Sequence, residues 1–125
     1  MKVLTDTHTL VWALSDPTLL GKNAYAALEN GPFTASVANL WELVLKARKP
    51  GALVAEPLPW WEKYVIRQGI ATLPIRTAHI RSLAGLPDIH RDPFDRILVA
   101  QSVAEGLTLA TKDTILARYG SLVVW

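Results

Sequence analysis

Four acids in this 125-residue chain stand in apolar company: Asp6, Glu42, Asp95 and Asp113. Asp6 closes the apolar run 3–5, and Glu42 interrupts Leu40-Trp41-Glu42-Leu43-Val44-Leu45. Asp95 and Arg96 lead into Ile97-Leu98-Val99-Ala100, and Asp113 follows the strand-like segment 107–111. A buried carboxylate is costly unless it is paired, hydrogen-bonded or bound to a metal. Four carboxylates brought together repel and raise one another's pKa until a cation relieves them. Mg²⁺ and Mn²⁺ suit that role, because both prefer oxygen ligands. Capping is the competing explanation. Asp6 and Asp113 can serve as helix N-caps. Asp92-Pro93-Phe94-Asp95 reads as a cap, a proline at the first helical position, and a second acid favoured by the helix dipole. Capping does not account for Glu42, whose in-helix partner four residues on is Lys46.

The elements that must position these acids alternate along the chain. Strands are expected at residues 3–5, 33–36, 70–73, 107–111 and 122–125. Helices are expected at 9–14, 23–29, 37–49, 60–68 (with Pro59 at its start), 77–83, 92–105 and 114–118. The strands are short and continuously apolar, the pattern of parallel strands covered on both faces. Alternating helices and buried strands imply an α/β fold, a three-layer α/β/α sandwich, in one domain over residues 1–125. Gly31, Gly69, Gly106 and Gly120 follow helices, where a left-handed residue is wanted. Ligands of such sheets bind beyond the carboxyl ends of the strands. That rule gathers Asp6, Asp95 and Asp113 on one rim and leaves Glu42 to reach it from the helix after the second strand.

Composition narrows the chemistry. The chain has no cysteine, which excludes disulfides, thiolate zinc sites and cysteine nucleophiles, and suits a reducing cytoplasm. No apolar stretch is long enough to span a bilayer, and an acid at position 6 comes too soon for a signal peptide. A net charge of +2 permits a nucleic-acid partner without arguing for one. Arg91 and Arg96 flank the acidic Asp92–Asp95 segment and are candidate phosphate contacts. His8 and His90 belong near the same rim but lack metal-ligand spacing. Of five tryptophans, Trp60 and Trp61 are adjacent; on a helix they point about 100° apart, so that one is free to mark an interface.

Four segments, in order, resemble the PIN-domain ribonucleases, above all the VapC-type toxins of prokaryotic toxin–antitoxin pairs. They are Asp6-Thr7-His8-Thr9-Leu10, Ser36-Val37-Ala38-Asn39-Leu40-Trp41-Glu42, His90-Arg91-Asp92-Pro93-Phe94-Asp95-Arg96 and Thr111-Lys112-Asp113. The resemblance covers essentially the whole chain. It implies a PIN-like five-stranded parallel sheet and a Mg²⁺- or Mn²⁺-dependent endoribonuclease. It maps the metal-site acids onto Asp6, Glu42, Asp95 and Asp113, with Ser36 and Thr111 as supporting hydroxyls. In the implied chemistry a hydrated ion held by Asp6 and Asp95 polarises the scissile phosphate and activates the attacking water; Glu42 orients that water and Asp113 completes the site. The resemblance also implies a VapB-like antitoxin, with Trp12 and Trp41 near its groove, and a homodimer. Thr5 departs from the pattern, since an apolar residue usually precedes the first acid. Two other classes compete: a phosphoaspartate-type phosphatase with Asp6 as acceptor and Lys112 assisting, and a non-catalytic binding module whose acids are only caps.

Overall fold

Short apolar runs become short strands: β1 Val3–Thr5, β2 Phe33–Ser36, β3 Ala71–Leu73, β4 Thr108–Ala110 and β5 Val123–Val124. A computed structural model describes residues 2–125. All strand pairings are parallel, in the order β3-β2-β1-β4-β5. β1 is therefore central, and the chain winds outward from it in both directions. This is the topology in which the crevice opens at the strand carboxyl ends, between β1 and β4.

The period of two along each strand separates the layers. Leu4 lies opposite Leu109 and both face a core built with Ile97 to Ala100 and Leu116. Those partners come from helix α6 (Pro93–Glu105) and the 3₁₀ helix Thr114–Tyr119. Val3 and Ala110 face the other way and meet Leu28 of α2 (Lys22–Glu29). Ala35 of β2 joins that second layer with Leu10 of α1 (Thr7–Ser15) and Trp61 of α4 (Pro57–Trp61). Helices thus cover both faces, as the unbroken apolar strands require. Each fully buried leucine (Leu4, Leu98 and Leu109 among them) contributes about 2–3 kcal/mol by leaving water. Two further α-helices are α3 (Val37–Lys46) and α5 (Thr77–Ala84), and a short 3₁₀ helix spans Pro17–Leu19.

Several expected boundaries move, each for a local reason. α3 stops at Lys46 rather than 49, because Pro50 disfavours helix in the residue before it and supplies no N–H. α4 begins at Pro57, two residues before Pro59, since both prolines fit a first turn whose N–H groups lack partners anyway. It then continues as a π-turn over Glu62–Ile66, a widening that the residue pattern does not encode. Gly31 does not take the left-handed conformation: α2 exits through Asn30 at φ −82°, and Gly51 joins Gly69, Gly106 and Gly120 with positive φ instead. Among the described residues no helix is long and apolar enough to cross a membrane.

Candidate metal centre

The rim beyond β1 and β4 holds a cleft of about 450 Å³ lined by Asp6, Glu42, Asp92, Asp95 and Asp113, with Lys46 and Lys112 at its edge. Asp6 sits where β1 turns into α1, and it is that helix's N-cap: Thr9 N donates to its Oδ1 at 2.9 Å. Its second oxygen accepts the Thr111 hydroxyl at 2.5 Å from the tip of β4. Capping and site-building are therefore not rivals for Asp6, because one oxygen serves each. The same holds for Asp113. Its Oδ1 accepts Ile115 N at 3.1 Å as cap of the last 3₁₀ helix, and its Oδ2 lies 2.9 Å from His90 Nε2.

Glu42 reaches the rim from α3 because Ser36, at the end of β2, starts that helix at the strand's carboxyl edge. Ser36 and Asn39 form the capping box, with Ser36 N donating to Asn39 Oδ1 at 2.8 Å. The Asn39 amide then donates to Thr7 Oγ1 at 3.1 Å, and Thr7 donates to Glu42 Oε1 at 2.6 Å. Lys46 holds the other oxygen, Oε2, at 2.5 Å. Glu42 is thus both buried at the cleft and ion-paired in its helix, joining two readings that the residues alone set against each other. The carboxylate in turn raises the pKa of Lys46, chiefly through that hydrogen bond.

Asp92 caps α6 by accepting Phe94 N at 2.8 Å and Asp95 N at 3.2 Å. This points Asp95 into the cleft from the first turn. Among the described residues the Asp95 carboxylate accepts no hydrogen bond; His90 Nε2 lies 3.6 Å from its Oδ2. Burial first, then the charges of Asp92, Asp6 and Glu42, push its pKa up to about 7. A site in which one carboxyl gives up its charge for want of a counter-ion fits a hard divalent cation. Asp6 and Asp95 would hold such an ion, with Glu42 and Asp113 beside it.

Of the supporting residues expected from sequence, Thr111 touches an acid and Ser36 does not. The Ser36 hydroxyl donates to Gln101 Oε1 at 2.6 Å, so it acts on Glu42 only through Asn39. Arg91 is exposed on the loop before α6. Arg96 is engaged elsewhere. Its Nη1 donates to the Pro87 carbonyl at 3.0 Å and the Tyr119 hydroxyl at 3.2 Å, bracing that loop instead of facing phosphate. Lys46 and Lys112 are the cations the fold sets at the cleft. Trp12 lies 5.5 Å from His8 and 5.9 Å from Trp125, beside the cleft, while Trp41 is 53% exposed and packs edge-on against Phe94. Thr7 and Asn39 are the site's unforeseen members, while His90, expected near the rim, turns out to meet Asp113. Their only sequence signal was proximity to the acids.

The PIN domain family model matches residues 3–122. The chain is 29% identical over 113 residues to Ribonuclease VapC22 of Mycobacterium tuberculosis, spanning 89% of this chain and 86% of that protein. The crystal structure of VapBC2 from Rickettsia felis bound to a promoter DNA fragment superposes with a TM-score of 0.69 at 17% identity, over 98% of this chain and 96% of that one. FitAcB from Neisseria gonorrhoeae matches with a TM-score of 0.69 at 18% identity, over 97% and 95%. At those identities the solved structures speak for the fold.

Proposed function

We propose that this chain, which belongs to the PIN-domain family, is a Mg²⁺- or Mn²⁺-dependent endoribonuclease and the toxin of a VapBC-type toxin–antitoxin pair. The observation that carries the reading is the gathering of Asp6, Glu42, Asp95 and Asp113 on one cleft, with Asp95 pushed up to about 7. A divalent ion there would polarise a phosphodiester and make a water acidic enough to attack it. The chain's residues supply the rest. Asp6 and Asp95 bind the ion, and Thr111 fixes the Asp6 carboxylate by a hydrogen bond. Glu42, held by Thr7 and Lys46, orients the water through a carboxylate that has only small freedom to turn. Asp113 completes the ligand set. Lys46, Lys112 and Arg91 draw the RNA backbone to an otherwise anionic cleft.

The likeness to a ribonuclease and to VapBC complexes supports RNA as substrate and a VapB-like antitoxin as partner. In this reading Trp12 and Trp41 lie on the antitoxin-facing surface, and the protein works in the cytoplasm as a homodimer. The phosphatase reading wants a second acid close to the acceptor, and Asp6-Thr7-His8 supplies none. The capping-only reading gives no reason for Asp6, Glu42, Asp95 and Asp113 to converge on one cleft.

The test is digestion of total RNA by the purified protein with Mn²⁺, Mg²⁺ or chelator. Cleavage is expected with metal alone, and Asp6→Asn and Asp95→Asn should each reduce it on the order of a thousandfold, the several kcal/mol a bound metal contributes. Cleavage that persists in chelator, or in both variants, overturns the reading.

A further inference from the structure

His90 sits 2.9 Å from Asp113 Oδ2 and 3.6 Å from Asp95 Oδ2 through the same atom, Nε2. With both acids it forms a triad whose donor atoms lie within 4.8 Å of one another, which invites the reading of a third metal ligand. The other side of the ring argues against it. Asp92 N donates to His90 Nδ1 at 3.0 Å. A backbone N–H is a donor in every state, so Nδ1 must carry the lone pair and the ring proton sits on Nε2. Turning the ring over does not rescue ligation, because it would set carbons at both contacts. A protonated Nε2 has no lone pair to offer a metal. It can only donate, and Asp113 Oδ2 is what it meets.

We infer that His90 is a positioning residue for Asp113, locked by Asp92 in the Nε2–H tautomer, and not a ligand of the metal. Asp113 then has both oxygens fixed by the protein, Oδ1 by Ile115 N and Oδ2 by His90. The backbone that carries the ring is anchored as well. His90 N donates to the Tyr119 hydroxyl at 2.6 Å, and Arg96 donates to the same hydroxyl. Tyr119 ends the 3₁₀ helix that Asp113 caps. Asp92 therefore acts twice: its side chain sets the first turn that carries Asp95, and its N–H sets the tautomer that orients Asp113. The segment His90-Arg91-Asp92-Pro93-Phe94-Asp95 is one device for aiming two carboxylates from two elements. This inference rests on Asp113 belonging to the metal centre.

Nitrogen-15 NMR of the full-length labelled protein, alone and with Mg²⁺, reads the tautomer directly. The proton is expected on Nε2 in both states, with Nδ1 unprotonated and coupled to the Asp92 amide. Transfer of the proton to Nδ1 on adding Mg²⁺ would make His90 a ligand and overturn the inference. Mn²⁺ affinity is the second readout: His90→Ala should weaken it about tenfold, and His90→Gln, whose amide can still donate, should recover most of the loss. A folded His90→Ala with unchanged affinity also overturns the inference. If neither ion binds at all, the proposed function falls, while the tautomer of the metal-free protein still decides what His90 does.

Discussion

Asp6 and Asp95 line the same cleft, yet the protein treats them in opposite ways. Asp6, at the tip of β1, has a partner for each oxygen: the Thr9 amide and the Thr111 hydroxyl. Asp95, in the first turn of α6, has none within hydrogen-bond distance and is pushed up to about 7 by burial and by its acidic neighbours. One carboxylate is built into the fold; the other is held in place and left for something from outside to satisfy. A metal centre needs both kinds, because a ligand set satisfied wholly from within would have nothing to gain by binding an ion.

The contrast is broken most sharply by stability. At pH 8, Asp95→Asn should stabilise the metal-free protein by roughly 2 kcal/mol. That is about half of what the shift alone implies, discounted because the side chain is 23% exposed. Asp6→Ala should destabilise it by about 2 kcal/mol, from one lost cap and one lost buried hydrogen bond. Thermal melts in chelator measure both, and shifts of the same sign would erase the distinction. A pH series sharpens it next. The folded-state pKa of Asp95 lies above the unfolded 3.8, so the native state holds the extra proton between pH 4 and 7. Stability of the metal-free protein from this group is fully present below pH 4, is lost as pH rises to about 7, and is flat beyond. Mn²⁺ affinity should run the other way, rising up to tenfold per pH unit below 7 and levelling above it, as calorimetry at several pH values would report. The smallest effect belongs to Thr111→Val, which removes the partner of Asp6 and leaves Asp95 untouched. It should weaken Mn²⁺ binding about tenfold with the pH profile unmoved.

The acids themselves were legible in sequence because each is adjacent to an element whose type its own neighbours declare. Asp6 follows the strand-like Val3-Leu4-Thr5 and Asp113 follows β4, so the rim could be read without a structure. Asp92 was legible as a cap for the same local reason, with Pro93 beside it. The hydrogen-bonded partners were not. Thr7 meets Glu42 across 35 residues and His90 meets Asp113 across 23, and no local pattern ranks such pairs. Arg96 shows the same limit from the other side: flanking the acids suggested phosphate, and only Tyr119, 23 residues on, reveals a brace. The π-turn over Glu62–Ile66 escaped because helical periodicity does not distinguish a widened turn from a regular one.

The bond between Thr111 and Asp6 joins residues 105 positions apart, and β4 is a direct neighbour of the central strand β1. During synthesis the first carboxylate leaves the ribosome long before its partner exists. At 5–20 residues per second the interval is roughly 5–20 s. Throughout it the central sheet lacks one flank, and Asp6 has no Thr111 to hold its second oxygen. A cleft laid out in this order closes only after β4 has emerged to flank β1.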